Sequence, residues 1–432
     1  MKRKITENLI RWKGRPSGRM PLLVYGARQV GKTHIIREFG KCHYKNVAYF
    51  NLETNQTVAG YFSDNIEPER ILRFLEAESR ERIVPGDTLV IFDEIQFCPR
   101  ALTALKYFNE QTPQYHIIGA GSLLGVAINR ENYSFPVGNV DSLIMFPLDF
   151  EEYLWALGEE MLCAEIKGAF DKNEALPIAL HEKSLDLYRQ YLITGGMPQA
   201  ILALVETKTL LTVPDVQNKI MNDYIADMAK YATNTQSVKI RAAYNSIPVQ
   251  LAKENKKFQY KLALRGGTAA IFGEAIEWLN FAGIVLKCER VEQGMMPVAV
   301  YRDLASFKLY MSDVGLLTMK SGISQQAVLS AGEIENTFLG SITENYVAQA
   351  LRNNHYGLYY WTNEGTAELD FVLQKGNDII AVEVKTGART KSKSLNIFVT
   401  KYKPAYSIRI SARNFGFENN IKSVPLYAVF CV

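Results

Sequence analysis

GARQVGKT at residues 26–33 directly follows the apolar run LLVY at residues 22–25. The eight residues match the phosphate-loop pattern G-x-x-x-x-G-K-[ST] at each fixed position, and the run before them has the character of a buried strand. This order predicts a strand, a phosphate loop and the N-terminus of a helix, which together form a site for ATP and Mg²⁺. The predicted nucleotide contacts are Gly26, Ala27, Arg28, Gln29, Val30, Gly31, Lys32, Thr33 and His34.

Each fixed residue type of the loop has a chemical purpose. The glycines let backbone N–H groups close around the phosphates, and Lys32 reaches the β- and γ-phosphates as a catalytic cation. The hydroxyl of Thr33 is a ligand of Mg²⁺. A chance match to a glycine-rich turn is the alternative, and the strand–loop–helix context argues against it.

A second apolar run, 88–92, ends in Asp93 and Glu94. In a parallel sheet the ligand site lies at the carboxyl ends of the strands. We therefore expect Asp93 to hold Mg²⁺ through water, and Glu94 to orient and deprotonate the water that attacks the γ-phosphate. An ordinary polar strand end is the alternative, which the phosphate loop upstream makes less favourable.

Further strand-like runs at 46–53, 115–122 and 142–146 alternate with helical stretches. This alternation predicts an α/β fold, a P-loop NTPase with a doubly wound parallel sheet. ATPases with an extra strand between the two motif strands carry a sensor of the γ-phosphate at the end of that strand. Ser122 is the candidate for that catalytic role, and a simple turn serine is the alternative.

Length and composition limit the class of protein to which the chain can belong. The chain has 432 residues, of which 47% are hydrophobic and 22% charged, as in folded globular proteins. Its net charge of +4 is too weak to argue for a nucleic-acid partner. The five cysteines have no C-x-x-C spacing, and no segment is long and apolar enough to span a bilayer. We expect a soluble, cytoplasmic protein without a membrane partner.

The chain resembles prokaryotic AAA-type ATPases that carry a C-terminal domain of unknown function. The segments that carry this resemblance are GARQVGKT at 26–33, LVIFDEIQ at 89–96, GSLLG at 121–125, FPLDFEEYL at 146–154 and YLITGGMPQAI at 191–201. The resemblance implies that residues 1–150 bind and hydrolyse ATP. In ring-forming relatives an arginine of a neighbouring subunit completes the site. Arg130 is the candidate here, but a surface arginine is the commoner explanation, so a homo-oligomer stays open.

Two further regions follow the predicted ATPase core. Residues 151–233 have a helical, amphipathic pattern that is broken at Gly195-Gly196-Met197-Pro198, and we interpret them as a helical lid. In 234–325 two helices precede two strands, which makes a winged-helix-like module plausible, as the resemblance also implies. Its basic residues would contact DNA phosphates, or belong to a protein–protein adaptor. They are Lys253, Lys256, Lys257, Lys261 and Arg265.

The region 326–432 contains two strand-like runs, 367–373 and 379–385, around the turn pair Gly376-Asn377. A two-residue hairpin loop at this pair makes Asp370 face Glu383 and Glu368 face Lys385. Opposed carboxylates repel, so this arrangement costs stability unless a cation compensates. The hairpin therefore predicts a second divalent metal site, for Mg²⁺ or Mn²⁺.

Glu344, on the preceding helix, completes a pattern that resembles PD-(D/E)xK nucleases. The resemblance implies Glu344, Asp370 and Glu383 as metal ligands and Lys385 as a catalytic residue, in a C-terminal α/β nuclease-like domain. Leu369 stands where the pattern has proline. The alternative is a non-catalytic domain that serves protein or nucleic-acid binding, with a Glu368–Lys385 ion pair across the hairpin.

A basic segment, residues 385–413, adjoins the hairpin and contains no Asp or Glu. Its cations are Lys385, Arg389, Lys391, Lys393, Lys401, Lys403, Arg409 and Arg413, interleaved with Phe398, Tyr402 and Tyr406. This pattern favours a surface that contacts the phosphate backbone of DNA, with an ordinary solvated face as the alternative. The sequence thus predicts an ATPase that couples nucleotide state to a nuclease-like, DNA-binding domain, or else an ATP-dependent switch or adaptor for a protein partner.

Overall fold

The computed structural model describes residues 1–122, 124–128, 136–230, 234–330, 337–363, 367–387 and 393–432. The chain divides into two compact units. The N-terminal unit comprises residues 2–146 and 281–283, and the C-terminal unit comprises residue 1, residues 147–280 and residues 284–432. Among the described helices, none combines the length and the apolar character that crossing a membrane requires.

The first unit is built on a parallel sheet. Its strands are β1 (Leu22–Tyr25), β2 (Asn46–Asn51), β3 (Thr88–Asp93), β4 (His116–Gly121) and β5 (Asp141–Ile144), and its helices are α1 (Ile5–Lys13), α2 (Lys32–His43), α3 (Gln56–Gly60), α4 (Pro68–Ser79), α5 (Pro99–Gln111) and α6 (Leu124–Ile128). The strand order is β2-β3-β4-β1-β5, with parallel pairs throughout. The predicted parallel α/β sheet is confirmed, and β4 lies between the two motif strands β1 and β3.

The core of this unit explains why β3 is apolar from Leu89 to Phe92. All six residues of β3 are buried, as expected for a strand that helices cover on both faces. The ring of Phe92 lies 5.6 Å from that of Phe62 and 6.3 Å from that of Phe108, measured between centroids. This packing holds the end of β3, and with it Asp93, in a fixed position.

Helices and two sheets form the second unit. The helices after residue 146 are α7 (Phe150–Ala156), α8 (Glu160–Lys172), α9 (Ile178–Thr194), α10 (Pro198–Thr207), α11 (Val213–Lys230), α12 (Asn234–Leu251), α13 (Tyr260–Ala263), α14 (Ala269–Phe281), α15 (Val314–Ser321), α16 (Gln325–Leu329), α17 (Thr337–Asn353) and α18 (Lys393–Tyr402). The strands are β6 (Val285–Val291), β7 (Arg302–Met311), β8 (Tyr359–Asn363), β9 (Ala367–Leu369), β10 (Phe371–Lys375), β11 (Asp378–Val384), β12 (Ser407–Ser411), β13 (Gly416–Glu418) and β14 (Ile421–Pro425).

One sheet has the order β7-β6-β8-β9, and the other has the order β10-β11-β12-β14-β13. Strands β6 and β7 form the antiparallel hairpin expected after α14, and β6 also pairs in parallel with β8. The hairpin of the region that was predicted to be winged-helix-like therefore shares a sheet with β8 and β9 of region 326–432.

The break at Gly195–Pro198 separates α9 from α10 and is a tightly packed junction. The N–H of Gly196 donates to Asp313 Oδ2 at 2.6 Å, and its carbonyl accepts from the N–H of Leu148 at 2.7 Å. A Cβ atom at Gly196 would lie 1.9 Å from the carbonyl oxygen of Leu148. Only glycine fits at this position.

Candidate functional site

The phosphate loop connects β1 to α2, and two of its glycines have backbone conformations that favour glycine. Gly31, which caps the N-terminus of α2, has φ of 94°, and Gly26 has φ of 147°. A Cβ atom at Gly26 would lie 2.0 Å from the carbonyl oxygen of Met145. The loop therefore needs glycine at both positions, as the motif predicts.

Lys32 is buried and its ammonium group points back into the loop. Its Nζ donates to the carbonyl oxygens of Gly26 and Ala27, at 3.0 and 2.8 Å. Burial lowers the pKa of Lys32 to about 8, against the opposing effect of Glu94 and Asp93. A bound phosphate would restore the charged form of this amine, because an anion favours ammonium over neutral amine.

Asp93 lies at the carboxyl end of β3 and receives two hydroxyl groups. Thr33 Oγ1 donates to Asp93 Oδ1 at 3.2 Å and to Oδ2 at 3.0 Å, and Tyr49 Oη donates to Oδ2 at 2.7 Å. The two predicted Mg²⁺ ligands, Thr33 and Asp93, are thus adjacent. A hydroxyl and a carboxylate are oxygen donors of the kind that Mg²⁺ takes, so these residues fit the metal.

Glu94 follows with a left-handed backbone, φ of 51°. Its Oε2 accepts from Gln96 Nε2 at 2.6 Å and from Ser122 Oγ at 3.4 Å. Ser122 comes directly after β4, so the neighbouring strand ends of β3 and β4 bring the predicted base and the predicted sensor into contact. Whether these residues act in catalysis stays a prediction.

The remaining predicted nucleotide contacts are the other residues of the loop and His34, which follows it. Ala27 and Val30 are buried, whereas Arg28 and His34 are exposed. Gln29 has a positive φ of 67°, which is uncommon for a residue other than glycine. Arg130, the candidate for a shared arginine, lies outside the described residues.

Three residues of this site were not predicted from the sequence. Tyr49 and Gln96 hold the two carboxylates, and Arg3 donates to the carbonyl oxygen of Val30 in the phosphate loop at 3.0 Å. Gln96 lies two residues beyond the motif carboxylate, so its position was a usable signal. Tyr49 and Arg3 reach the site only through the fold.

The C-terminal hairpin has the predicted register. Phe371 pairs with Val382 and Lys375 with Asp378, around the turn at Gly376-Asn377. Asp370 comes directly before the first pair of this register. Asp370 Oδ2 accepts from the N–H of Val384 at 2.8 Å.

The predicted pairing of Glu368 with Lys385 is wrong. Glu368 lies in β9, which pairs with β8, and its register partner is Thr362. The chain changes sheets at Asp370, so β9 and β10 have different neighbours. Glu368 Oε1 instead lies 2.6 Å from Nζ of Lys308, and Lys385 Nζ lies 3.2 Å from Glu383 Oε1 on its own strand.

Glu344, on α17, is buried among cations and a hydroxyl. Its Oε1 lies 2.9 Å from Lys308 Nζ and accepts from Tyr310 Oη at 2.5 Å, and its Oε2 accepts from Lys256. Burial opposes ionisation here, but Lys308 and Lys256 outweigh it and lower the pKa of Glu344 to about 2. Lys256 was predicted to contact DNA phosphates, and its ammonium group is instead engaged by Glu344.

The predicted second metal site does not fit these contacts. Within the described part of the chain, no three His, Cys, Asp or Glu side chains are grouped so that they could hold a metal ion. The oxygens of Glu344 are engaged by lysine and tyrosine, and burial together with Glu344 raises the pKa of Asp370 to about 7. Glu344, Asp370 and Glu383 therefore do not form the predicted ligand set.

The basic segment is described in part, since Arg389 and Lys391 lie outside the described residues. Phe398 is buried against Trp361, with ring centroids 5.2 Å apart, so it cannot stack on a base. The exposed cations in the described part are Lys393, Lys401, Lys403 and Arg413. We call these four exposed cations the basic surface below.

Three segments of the chain match known families. Residues 18–154 match the family described as AAA domain. Residues 185–327 match a domain of unknown function (DUF8612), and residues 339–429 match another (DUF4143). No curated protein matches the chain.

Solved structures give distant likenesses. The Walker-type ATPase PABY2304 of Pyrococcus abyssi is 16% identical, covers 74% of this chain and 95% of its own, and has a TM-score of 0.45. ORC1 of Aeropyrum pernix, in complex with DNA, is 14% identical and has a TM-score of 0.30. The match covers 77% of this chain and 94% of the ORC1 chain. AMPPCP-bound DnaA of Aquifex aeolicus is 13% identical and has a TM-score of 0.29. The match covers 64% of this chain and 86% of the DnaA chain.

All three TM-scores are low, so the assignment rests on the match to residues 18–154 and on the geometry of the phosphate loop. Strand order, loop and paired motif residues agree with that match. Residues 18–154 therefore match the AAA domain family in sequence, and their sheet and phosphate loop agree with that match.

Proposed function

We propose that this protein hydrolyses ATP with Mg²⁺ at the site formed by Lys32, Thr33, Asp93 and Glu94. The observation that carries the proposal is the convergence of these side chains at the carboxyl ends of β1, β3 and β4. Thr33 contacts Asp93 directly, and Glu94 contacts Ser122.

Thr33 and Asp93 would hold Mg²⁺, which when bound neutralises charge on the phosphate oxygens. Lys32 would exchange the carbonyl oxygens of Gly26 and Ala27 for the β- and γ-phosphates. The positive end of α2 and the N–H groups of the loop would stabilise the same charge.

Glu94 would accept the proton of the attacking water. Its contacts with Gln96 and Ser122 fix the carboxylate in one orientation, so that these two residues act as positioning residues. Ser122, at the end of β4, would also sense the γ-phosphate.

Steady-state phosphate release from the full chain tests this proposal. Lys32→Ala should abolish turnover, and Lys41→Ala is the matched control, because Lys41 lies exposed on the same helix in a surface ion pair with Glu38. Equal turnover in the two variants would contradict the proposal.

We further propose that nucleotide state governs nucleic-acid binding by the C-terminal unit. The support is the basic surface, which offers contacts to phosphates. Helix α14, which precedes the β6–β7 hairpin, contains no Lys or Arg and carries Glu274 and Glu277. A helix of this charge is unsuited to reading base edges in a groove, so the proposed binding is to the backbone and independent of sequence.

A protein adaptor is the second candidate, and one observation favours it. Val300, in the loop between β6 and β7, and Leu304, near the start of β7, are 71% and 67% exposed. Apolar side chains at a hairpin tip suit a protein partner better than a phosphate backbone. For either candidate we propose the same domain organisation. Residues 151–233 form a helical lid, 234–325 a winged-helix-like module and 326–432 a nuclease-like domain.

A further inference from the structure

Lys308 is a lysine with no exposure to solvent. It lies in β7, and its side chain is 0% exposed. Its Nζ lies 2.9 Å from Glu344 Oε1 and 2.6 Å from Glu368 Oε1, and 4.8 Å from the ring centroid of Tyr360. One ammonium group thus bridges a helix carboxylate and a strand carboxylate.

The charge of Lys308 is retained in spite of burial. Burial by itself lowers the pKa of a lysine, but Glu344, Glu368 and Asp370 together raise the pKa of Lys308 well above its ordinary value. A buried charge is tolerated when its partners are close and well oriented, and loss of one partner leaves the other uncompensated. The three carboxylates and this lysine therefore depend on each other.

The cluster is close to charge balance without any bound ion. Lys308 and Lys256 supply two positive charges, and Glu344 and Glu368 supply two negative charges. Asp370 is held by the backbone, since its Oδ2 accepts from the N–H of Val384 at 2.8 Å. A divalent cation added here would leave an excess of positive charge in a buried place.

Both oxygens of Glu344 and one oxygen of Glu368 are also taken. Mg²⁺ and Mn²⁺ prefer carboxylate oxygens, and they require several of them free at once. Lys308 engages one oxygen of Glu344 and one of Glu368, Lys256 engages the second oxygen of Glu344, and Tyr310 adds a hydroxyl donor.

We propose that the ammonium group of Lys308 is the resident cation of the Glu344–Glu368–Asp370 cluster and takes the place of a divalent metal. The cluster is then a metal-independent joint that ties β7 to β9 and to α17. This inference is independent of the proposed ATPase activity, because it concerns other residues and a structural role.

The inference is tested by measuring Mn²⁺ binding to the full, nucleotide-free chain. Electron paramagnetic resonance of the free Mn²⁺ monitors this binding. The Asp93→Asn background removes the contribution of the ATPase site. We expect Glu368→Gln and Asp370→Asn to leave Mn²⁺ binding unchanged in this background, because no Mn²⁺ site should depend on either carboxylate. A saturable site, one ion per chain, that either substitution abolishes would overturn the inference.

Thermal unfolding of the same chain provides the second test. Lys308→Met should lower Tm by several degrees relative to Lys261→Met, a control at an exposed lysine of α13. In the Asp93→Asn background, millimolar MnCl₂ should raise the Tm of Lys308→Met, where the carboxylates are left without this cation, and should leave the Tm of the parent chain unchanged. Equal Tm values for the two methionine variants would overturn the inference.

A double variant covers the case in which Lys308→Met does not fold. Lys308→Met with Glu368→Gln removes one charge of each sign from the cluster. It should fold and recover part of the lost Tm. A double variant that is no more stable than Lys308→Met would contradict the mutual dependence of the two charges.

Discussion

The hydroxyl of Thr33 donates to both carboxylate oxygens of Asp93, at 3.2 and 3.0 Å. This contact joins the phosphate loop to the second motif strand, because Thr33 lies in the first turn of α2 and Asp93 ends β3. Tyr49 Oη approaches the same carboxylate at 2.7 Å. The carboxylate that would hold Mg²⁺ is therefore oriented by two hydroxyl groups, one from the motif and one from β2.

Tyr49→Phe should weaken the use of Mg²⁺ without abolishing ATP turnover. A hydrogen bond to a charged group contributes about 1.5–3 kcal/mol, which corresponds to roughly a tenfold or larger change in an equilibrium constant. We expect the Mg²⁺ concentration for half-maximal turnover to rise by about that factor, with a smaller change in kcat. Tyr61→Phe is the control, since Tyr61 donates to Glu78 at 3.3 Å in an exposed place. An unchanged Mg²⁺ dependence in Tyr49→Phe would argue against this role of Tyr49.

Nucleotide affinity should fall as pH rises above about 8, the pKa to which burial lowers Lys32. Phosphate favours the charged amine, so binding to the neutral form requires uptake of a proton. The dissociation constant should be constant below this pKa and rise by up to about tenfold per pH unit above it. Titration with a fluorescent ATP analogue measures this dependence.

Lys32→Arg is the control for the pH dependence, because a guanidinium group does not titrate in this range. Any residual affinity of that variant should be independent of pH through the same interval. A wild-type affinity that is equally independent of pH would mean that Lys32 keeps its charge in the free protein.

Gly196→Ala should destabilise the C-terminal unit. Its Cβ atom would lie 1.9 Å from the carbonyl oxygen of Leu148, and the backbone must move to make room. We expect a loss on the order of 3 kcal/mol in the free energy of unfolding, in the upper range for single substitutions. Gly168→Ala, inside α8 with open space around its Cβ, should instead be neutral or stabilising by about 0.5–1 kcal/mol. Urea unfolding compares the two variants, and similar stabilities would contradict the packing described.

Nucleic-acid binding, if the basic surface carries it, should depend steeply on salt. Lys393→Gln with Lys401→Gln should reduce the slope of log affinity against log salt concentration by roughly 2, about one unit per lost phosphate contact. Lys41→Gln with Lys106→Gln, at exposed lysines of the N-terminal unit, should leave the slope unchanged. Identical slopes for both double variants would favour the protein-adaptor candidate.

Local patterns predicted which residues lie together at the phosphate loop, because short segments of the chain carry them. The phosphate loop, Asp93 and Glu94 each follow a recognisable strand, and a parallel sheet brings such strand ends together. Tyr49 and Arg3 escaped prediction, since nothing near them in the chain distinguishes them from an ordinary strand or helix residue. Only the register of β2 beside β3 places Tyr49 close to Asp93.

The C-terminal cluster illustrates the limit of the same reasoning. The turn at Gly376-Asn377 fixed the register of β10 and β11 as predicted, but the change of sheet at Asp370 moved Glu368 to another partner. Lys308 belongs to a different hairpin and lies 36 residues from Glu344 in the chain. Its role depends on tertiary contacts that strand periodicity does not encode.

The most direct test of the central claim is a paired measurement on Glu94→Gln, namely ATP binding at equilibrium and phosphate release in a single turnover. Loss of a general base typically costs about 10²–10⁴ in rate, whereas binding depends on the phosphate loop, which this substitution leaves intact. We predict ATP affinity near that of the wild type and phosphate release slower by that factor, with Glu110→Gln, at an exposed glutamate of α5, behaving as the wild type. Phosphate release by Glu94→Gln at the wild-type rate would contradict the assignment of this site.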